Sequence, residues 1–338
     1  MEKPKKNNAV KTLLTIVISI TVAVFFMWLA FRGLNFSEIK GYFAKANYLW
    51  VAAAAAFGIL AYWFRAVRWN LLFEPMGYKI SNTNSFWSIA FGYLMNLTIP
   101  RSGEVARATA LYGVEKVPVD KSFGTIILER VVDLICMLGF LGLTLIFKFD
   151  AIAAFYKHAT NQESDGESSV SWLWIIAAAG LIAAVAFFAL RKKLEPVPLF
   201  GKVYKIADGL LEGIMSIFKL KQPLKFLFYS FAIWVCYYFA AYLVCFALPE
   251  TADFSFADGF FIVVVGTLGM MIPASGGIGA FHFALKIGIG ALFLSMGKSF
   301  EEGSEVGLAY AFISHTMQLV IMAVLGFMSI PILAKNRI

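Results

Sequence analysis

The sequence predicts an all-α polytopic membrane protein, with about six full spans and two re-entrant or broken helical hairpins in an inverted repeat. Three observations carry this: a composition too apolar for water, long apolar runs separated by charged segments, and a pentapeptide that recurs once in each half. Of 338 residues, 60% are hydrophobic and 15% charged, with mean hydropathy +0.76. Soluble domains carry about 45–50% apolar and about 25% charged residues, so the solvent for most of this chain is lipid.

Lys3, Lys5, Lys6 and Lys11 precede an apolar run from Thr12 to Phe31. The start resembles a secretory signal only superficially. Its core is about 20 residues long and no small-x-small cleavage site follows, so a retained first helix is expected. Full spans are expected near 12–31, 47–64, 122–147, 171–190, 224–248 and 305–330. Two shorter apolar stretches, 84–99 and 259–272, each end in Ile-Pro and run through a small-residue turn into another helix-like piece. Proline lacks the N–H and disfavours helix in the residue before it. A break at membrane depth is tolerated only inside protein or beside water. Broken hairpins are therefore expected at about 84–112 and 259–296.

With the N-terminus cytoplasmic, segments 1–11, 65–83, 101–121, 191–225 and 335–338 lie inside and hold 21 of the 29 Lys and Arg. The outside loops hold six, with 11 of the 21 acids, among them Glu163, Asp165, Glu167, Glu301, Glu302 and Glu305. This positive-inside bias points to a multi-pass protein of the plasma (bacterial inner) membrane with both termini cytoplasmic. A hairpin returns to its own side whether it half-enters or crosses, so its depth stays open.

Ile99-Pro100-Arg101-Ser102-Gly103 recurs as Ile272-Pro273-Ala274-Ser275-Gly276, an offset of 173. Each copy follows an aromatic-led apolar helix containing Gly92 or Gly266. Element order and sidedness agree with a single membrane domain, 1–338, built from half-repeats 1–160 and 170–338 of opposite orientation. In transporters of that design, paired broken segments meet at a midplane binding site. Between the halves, 161–169 reads as a flexible acidic linker. Residues 199–221 read as an amphipathic helix, either on the cytoplasmic leaflet or packed on the bundle. Cys136, Cys236 and Cys245 sit in apolar runs with neither metal-ligand spacing nor a disulfide framework.

The densest polar constellation comprises Asn96, Arg101, Glu104 and Arg107 in the first hairpin, then Glu129, Arg130 and Asp133 in the third span. A charge near the bilayer centre costs at least about 2.5–3.5 kcal/mol, so these side chains need partners or a cavity. Glu129 and Asp133 share one helix face, and Arg101 and Arg107 are expected to pair with them. Such pairing could serve only to pin the hairpin. Alternatively, part of the positive charge receives an anion, aided by free N–H groups at Ser102 and Gly103 where a helix begins after Pro100.

The second hairpin offers Gly276, Gly277 and Gly279, then His282 and Lys286 four apart; the last span adds His315 and Gln318. The histidines read either as interhelical hydrogen bonds or as a proton relay. There is no HExxH zinc motif, no GxSxG elbow and no Walker-type loop. No catalytic residue, metal or cofactor is expected, and the chain does not read as an enzyme.

The stretches GYLMNLTIPRSGEVAR (92–107), LERVVD (128–133) and GGIG (276–279) resemble the lysylphosphatidylglycerol synthase transmembrane, or flippase-like, domain family. That domain occurs alone in many bacteria and archaea and is joined to an aminoacyl-lipid synthase in other members. The resemblance implies movement of a lipid or lipid-linked phosphate head group between leaflets, with Arg101, Glu104, Arg107, Glu129, Arg130 and Asp133 as polar core. Where the family often has a Glu after the second glycine motif, this chain has His282. The sequence stops at Ile338, so the aminoacyltransferase activity of fused members is not expected.

The expected assignment follows. Asn96, Arg101, Ser102, Gly103, Glu104, Arg107 and Arg130 bind an anionic head group. Glu129, Asp133, His282 and His315 balance charge or exchange protons, and Pro100, Pro273, Gly276, Gly277 and Gly279 form the gate. The partners are membrane lipids, anionic by the charge of the site, and no nucleic acid; a homodimer and a separate lipid-modifying enzyme stay open. Alternatives are a secondary transporter of a small soluble anion, an intramembrane enzyme acting on lipid head groups, and an accessory protein of envelope lipid assembly.

Overall fold

The computed structural model describes residues 6–32, 36–99, 101–159, 204, 215, 217–272 and 274–337, and among these every regular element is helical. The chain is an all-α, multi-pass membrane protein. The first apolar run falls within α1 (Lys6–Phe31), and a short α2 (Phe36–Lys45), not anticipated from the sequence, follows. In α3 (Tyr48–Phe73) the Asn47 side chain caps the start by accepting from the Leu49 N–H at 3.1 Å. This helix continues well past residue 64, where the sequence reading ends the span. It stops only at a 3-10 turn, Glu74–Met76, closed by Gly77 at φ +84°.

The first hairpin consists of α4 (Asn82–Thr98) and α5 (Gly103–Glu115), with the helix interrupted between them at Ile99, whose ψ of 114° is extended. Then come α6 (Val119–Phe147), entered through Pro118, and α7 (Phe149–Ala159), a second helix the sequence reading lacks. After the segment outside the described residues, α8 covers Pro223–Cys245. The second hairpin is α9 (Phe256–Met271) and α10 (Ala280–Ser295), broken at Ile272 and a 3-10 turn over Ser275–Gly277. The start of α9 is a capping box: Asp258 Oδ2 accepts from the Ser255 N–H at 2.8 Å and its hydroxyl at 2.6 Å. Finally α11 spans Phe300–Lys335.

Among the described residues, α3 with its 3-10 extension, α6, α8 and α11 are long and apolar enough to cross a bilayer. By contrast α4, α5, α9 and α10 have 17, 13, 16 and 16 residues, short of the roughly 20 a span requires. The expected span 171–190, the linker 161–169 and the body of the amphipathic helix 199–221 lie outside the described residues. So do Pro100 and Pro273.

The long helices frame the hairpins. α3 lies along α8, with Phe57 against Phe239 and Phe64 against Tyr229 at centroid distances of 5.1 and 5.8 Å. α4 packs on α11, where Gly326 admits the Leu94 side chain, and α9 packs on α6 through Phe140 and Phe260. α1 rests on the second hairpin through Phe26 and Phe283. Its closest approach is at Gly279, where φ is +83° and a Cβ would meet the Ala23 carbonyl and, at 2.7 Å, the Met27 nitrogen. Only glycine meets both demands.

Candidate functional site

Arg65, Arg68 and Trp69 occupy one face of α3, at i, i+3 and i+4. All three are buried. The sequence reading counts Arg65 and Arg68 as cytoplasmic loop charges; the structure corrects this. They stay helical and buried because carboxylates from α6 meet them there.

Arg68 Nη1 donates to Asp133 Oδ1 at 2.8 Å, and its Nη2 stands 3.5 Å from Glu129 Oε1. Arg65 reaches Asp133 Oδ2 at 3.4 Å and donates to the Tyr237 hydroxyl of α8 at 2.7 Å. On the other side Glu129 pairs with Arg107 of α5, whose guanidinium also lies 3.9 Å above the Trp69 ring. Trp69 is itself held by a 2.8 Å hydrogen bond to Thr125 of α6. The result is a continuous chain, Tyr237–Arg65–Asp133–Arg68–Glu129–Arg107, that ties α8, α3, α6 and α5 together. Among the described residues three guanidinium groups meet two carboxylates, and Arg65 Nε, Arg68 Nε and Arg107 Nε have no hydrogen-bond partner there.

The expected pairing therefore holds for Arg107 with Glu129 and fails for the rest. Asp133 is taken by Arg65 and Arg68, and among the described residues Arg101 makes no hydrogen bond or ion pair. Arg101 is exposed, its backbone at φ +59° in the turn between α4 and α5. The free N–H groups expected at Ser102 and Gly103 are also used internally. The Ser102 N–H donates to the Ile99 carbonyl at 3.2 Å, and that of Gly103 to Asn96 Oδ1 at 2.7 Å. A kinked chain turning on itself consumes its own donors. The Ser102 hydroxyl likewise donates inward, to the Met95 and Ile99 carbonyls at 3.0 and 2.7 Å.

Beside the ionic chain lies a shallow, half-open groove, lined by Ile89, Gly92, Tyr93, Asn96, Gly103, Glu104, Arg107 and Arg130. Five of the seven expected head-group residues thus line it. Arg101 and Ser102 are not among them. Arg107 forms the inner end of the groove, and Arg130 donates to Glu104 at 2.7 Å as a half-exposed pair. The groove exists because α4 and α5 cross at backbone distance: a Cβ at Gly92 would lie 2.7 Å from the Gly103 carbonyl, and one at Gly103 would strike the Asn96 side chain. Among the described residues no group of three or more His, Cys, Asp or Glu could hold a metal ion.

The sequence matches the family described as Lysylphosphatidylglycerol synthase TM region over residues 16–332. The chain belongs to that family. It is similar to the Glycosyltransferase AglD of Haloferax volcanii, 24% identical over 305 residues, covering 82% of this chain and 49% of that protein. It is also similar to the UPF0104 membrane protein MJ1595 of Methanocaldococcus jannaschii, 28% identical over 129 residues, covering 37% of this chain and 38% of that protein. The chain thus spans about half or less of the curated relatives it matches. No solved structure matches it.

In this member of the lysylphosphatidylglycerol synthase transmembrane family the second hairpin is built differently from the first. The glycines expected at a gate all adopt left-handed backbone, with φ +58° at Gly276, +75° at Gly277 and +83° at Gly279. His282 Nδ1 faces the Gly279 N–H at 3.3 Å, and His315 Nε2 lies 2.9 Å from the Gly276 carbonyl. The two imidazoles are buried, 4.9 Å apart between centroids, and packed by Phe281 and Phe312. They hold the glycine turn by its backbone and are not in the groove. Lys286 is drawn away to cap α1, donating to the Arg32 carbonyl at 2.9 Å.

Arg65, Arg68 and Tyr237 are the members of the polar chain that sequence reasoning missed. One signal was present: the i, i+3 spacing of two arginines inside an aromatic, apolar stretch reads as one helix face as readily as a loop.

Proposed function

We propose that this protein moves an anionic, phosphate-bearing lipid head group between the leaflets of the plasma membrane, with both chain termini cytoplasmic. The observation that carries the reading is the groove walled by Arg107 and Arg130, backed by a buried ionic chain with more cations than carboxylates. Asn96 fits the role: its Oδ1 is engaged by Gly103, which leaves its amide N–H groups as donors on the groove wall. Arg101 stands exposed at the turn beside it, able to meet the head group from water.

The arrangement of helices supports movement by two opposed halves. The pairs α3–α4, α4–α5 and α5–α6 are matched by α8–α9, α9–α10 and α10–α11, and the cross-pairs α4–α11 and α6–α9 correspond as well. An inverted repeat would generate that pattern, and rocking of one half on the other would open the groove to alternate sides. The likeness to a protein named a glycosyltransferase extends the candidate head groups to sugar-bearing lipid phosphates.

The test is reconstitution in vesicles that hold a head-group-labelled anionic lipid, with an impermeant quencher added outside. Wild-type protein is expected to expose the inner-leaflet label rapidly, and Arg130→Ala slowly. Quenching no faster than in protein-free vesicles overturns the reading. Uptake of a soluble anion without lipid movement would replace it with the secondary-transporter alternative.

A further inference from the structure

We infer that the groove selects head groups carrying a single negative charge, as in a phosphodiester, and that Glu129 sets this preference by sharing itself between Arg68 and Arg107. The inference rests on the proposed head-group role of the same site and says which head groups it takes.

The charge count makes the case. Arg65, Arg68 and Arg107 are 4%, 0% and 6% exposed, and among the described residues no other arginine or lysine is buried. Opposite them, among the described residues, stand Glu129 and Asp133 alone. The half-exposed Arg130–Glu104 pair at the groove is neutral. Among the described residues the ionic chain therefore keeps one uncompensated positive charge out of water, a costly state unless an anion completes it.

The excess charge emerges at one place. Asp133 is engaged by Arg65 and Arg68, and Arg65 has the Tyr237 hydroxyl besides. Among the described residues Arg107 has only Glu129, a carboxylate it shares with Arg68, and the face of Trp69. Its Nε is unpartnered and buried, and Arg107 is the member of the chain that lines the groove. An anion seated there would take over Arg107 and let Glu129 turn fully to Arg68, whose Nη2 has no hydrogen bond among the described residues and whose neighbour Glu129 Oε1 has none either. One negative charge closes the count. A phosphomonoester, near two charges at pH 8, overshoots it, and a zwitterionic head group leaves it open.

The test separates binding from movement. Purified full-length protein in neutral detergent at pH 8 is titrated with glycerophosphoglycerol, glycerol 3-phosphate and glycerophosphocholine, reading thermal stabilisation. Wild type is expected to bind the diester at least about tenfold more tightly than the other two. Glu129→Gln, which raises the excess to two charges, is expected to shift preference to the monoester. Should Glu129→Gln fail to fold, Arg68→Gln removes the excess and is expected to abolish diester preference. Equal affinity for all three compounds, no binding of the diester by folded wild type, or an unchanged order in a folded variant overturns the inference. Vesicles holding phosphatidylglycerol, phosphatidic acid or phosphatidylcholine probes then distinguish lipid from free phosphate. Movement of all three lipids at one rate overturns the charge selection and leaves translocation standing. Diester preference in detergent without any lipid movement overturns translocation and leaves the selection standing.

Discussion

Arg68 and Asp133 are 65 residues apart in sequence and 2.8 Å apart in the fold, with no part of the arginine side chain exposed. Each exists in that setting only because the other does. Removing one partner leaves a buried charge uncompensated, which typically costs about 3–5 kcal/mol. Asp133→Leu is therefore expected to lower the unfolding midpoint in detergent sharply. The double change Arg68→Met with Asp133→Leu is expected to recover much of the loss, since Arg65 keeps Tyr237 and Glu129 keeps Arg107. A double mutant as unstable as the single would contradict the pairing.

The hairpin crossing makes a second prediction. A Cβ at Gly103 collides with Asn96 and the Gly92 carbonyl, whereas one at Gly113, farther along α5, meets nothing within 4 Å. Gly103→Ala is expected to destabilise by about 1–3 kcal/mol. Gly113→Ala is expected to be neutral or to stabilise by up to about 1 kcal/mol, as alanine improves a helix interior. Comparable thermal shifts for the two variants would show that α4 and α5 do not touch there.

His315 holds the second hairpin from α11 through the Gly276 carbonyl at 2.9 Å. His315→Phe keeps the bulk and strands that carbonyl, an expected loss of about 1–3 kcal/mol. His315→Gln, able to donate, is expected to restore most of it. Hydrogen exchange over 275–280 is the appropriate readout, with faster exchange in the phenylalanine variant alone. If both variants exchange like wild type, the contact does not hold the turn.

The ends of α4 and α11 meet where Asn336 Nδ2 donates to Asn84 Oδ1 at 2.9 Å. Rocking of the two halves would separate such a contact. Cysteines placed by Asn84→Cys and Asn336→Cys, with Cys136, Cys236 and Cys245 changed to alanine, are expected to cross-link under oxidation. The cross-link should arrest head-group movement, and reductant should restore it. Full transport by the cross-linked protein would exclude relative motion at this contact.

Much of this molecule was legible without a fold. Apolar runs of the right length marked α3, α6, α8 and α11, because membrane insertion responds to local hydropathy. Ile99 and Ile272, each before a proline, marked both hairpin breaks, because proline acts on the residue beside it. The polar groove could be anticipated from Asn96, Gly103, Glu104, Arg107 and Arg130, which lie close in sequence or one hairpin apart. The short helices α2 and α7 escaped notice since neither is long or apolar enough to stand out.

What the sequence by itself determined is the solvent, the helical class, the breaks and the family. Only the tertiary structure decided which charges belong together. Hydropathy read Arg65 and Arg68 as the end of a span, since two arginines look ruinous to any window that contains them. Their cost is offset by Glu129 and Asp133, which arrive from more than 60 residues away on α6, and by Tyr237 from α8. Likewise Ser102 and Gly103 looked like an open anion cradle until the turn folded back and Asn96 and Ile99 took their N–H groups. Local sequence reports what a residue costs in lipid. Its partner, supplied by packing, sets whether that cost is met.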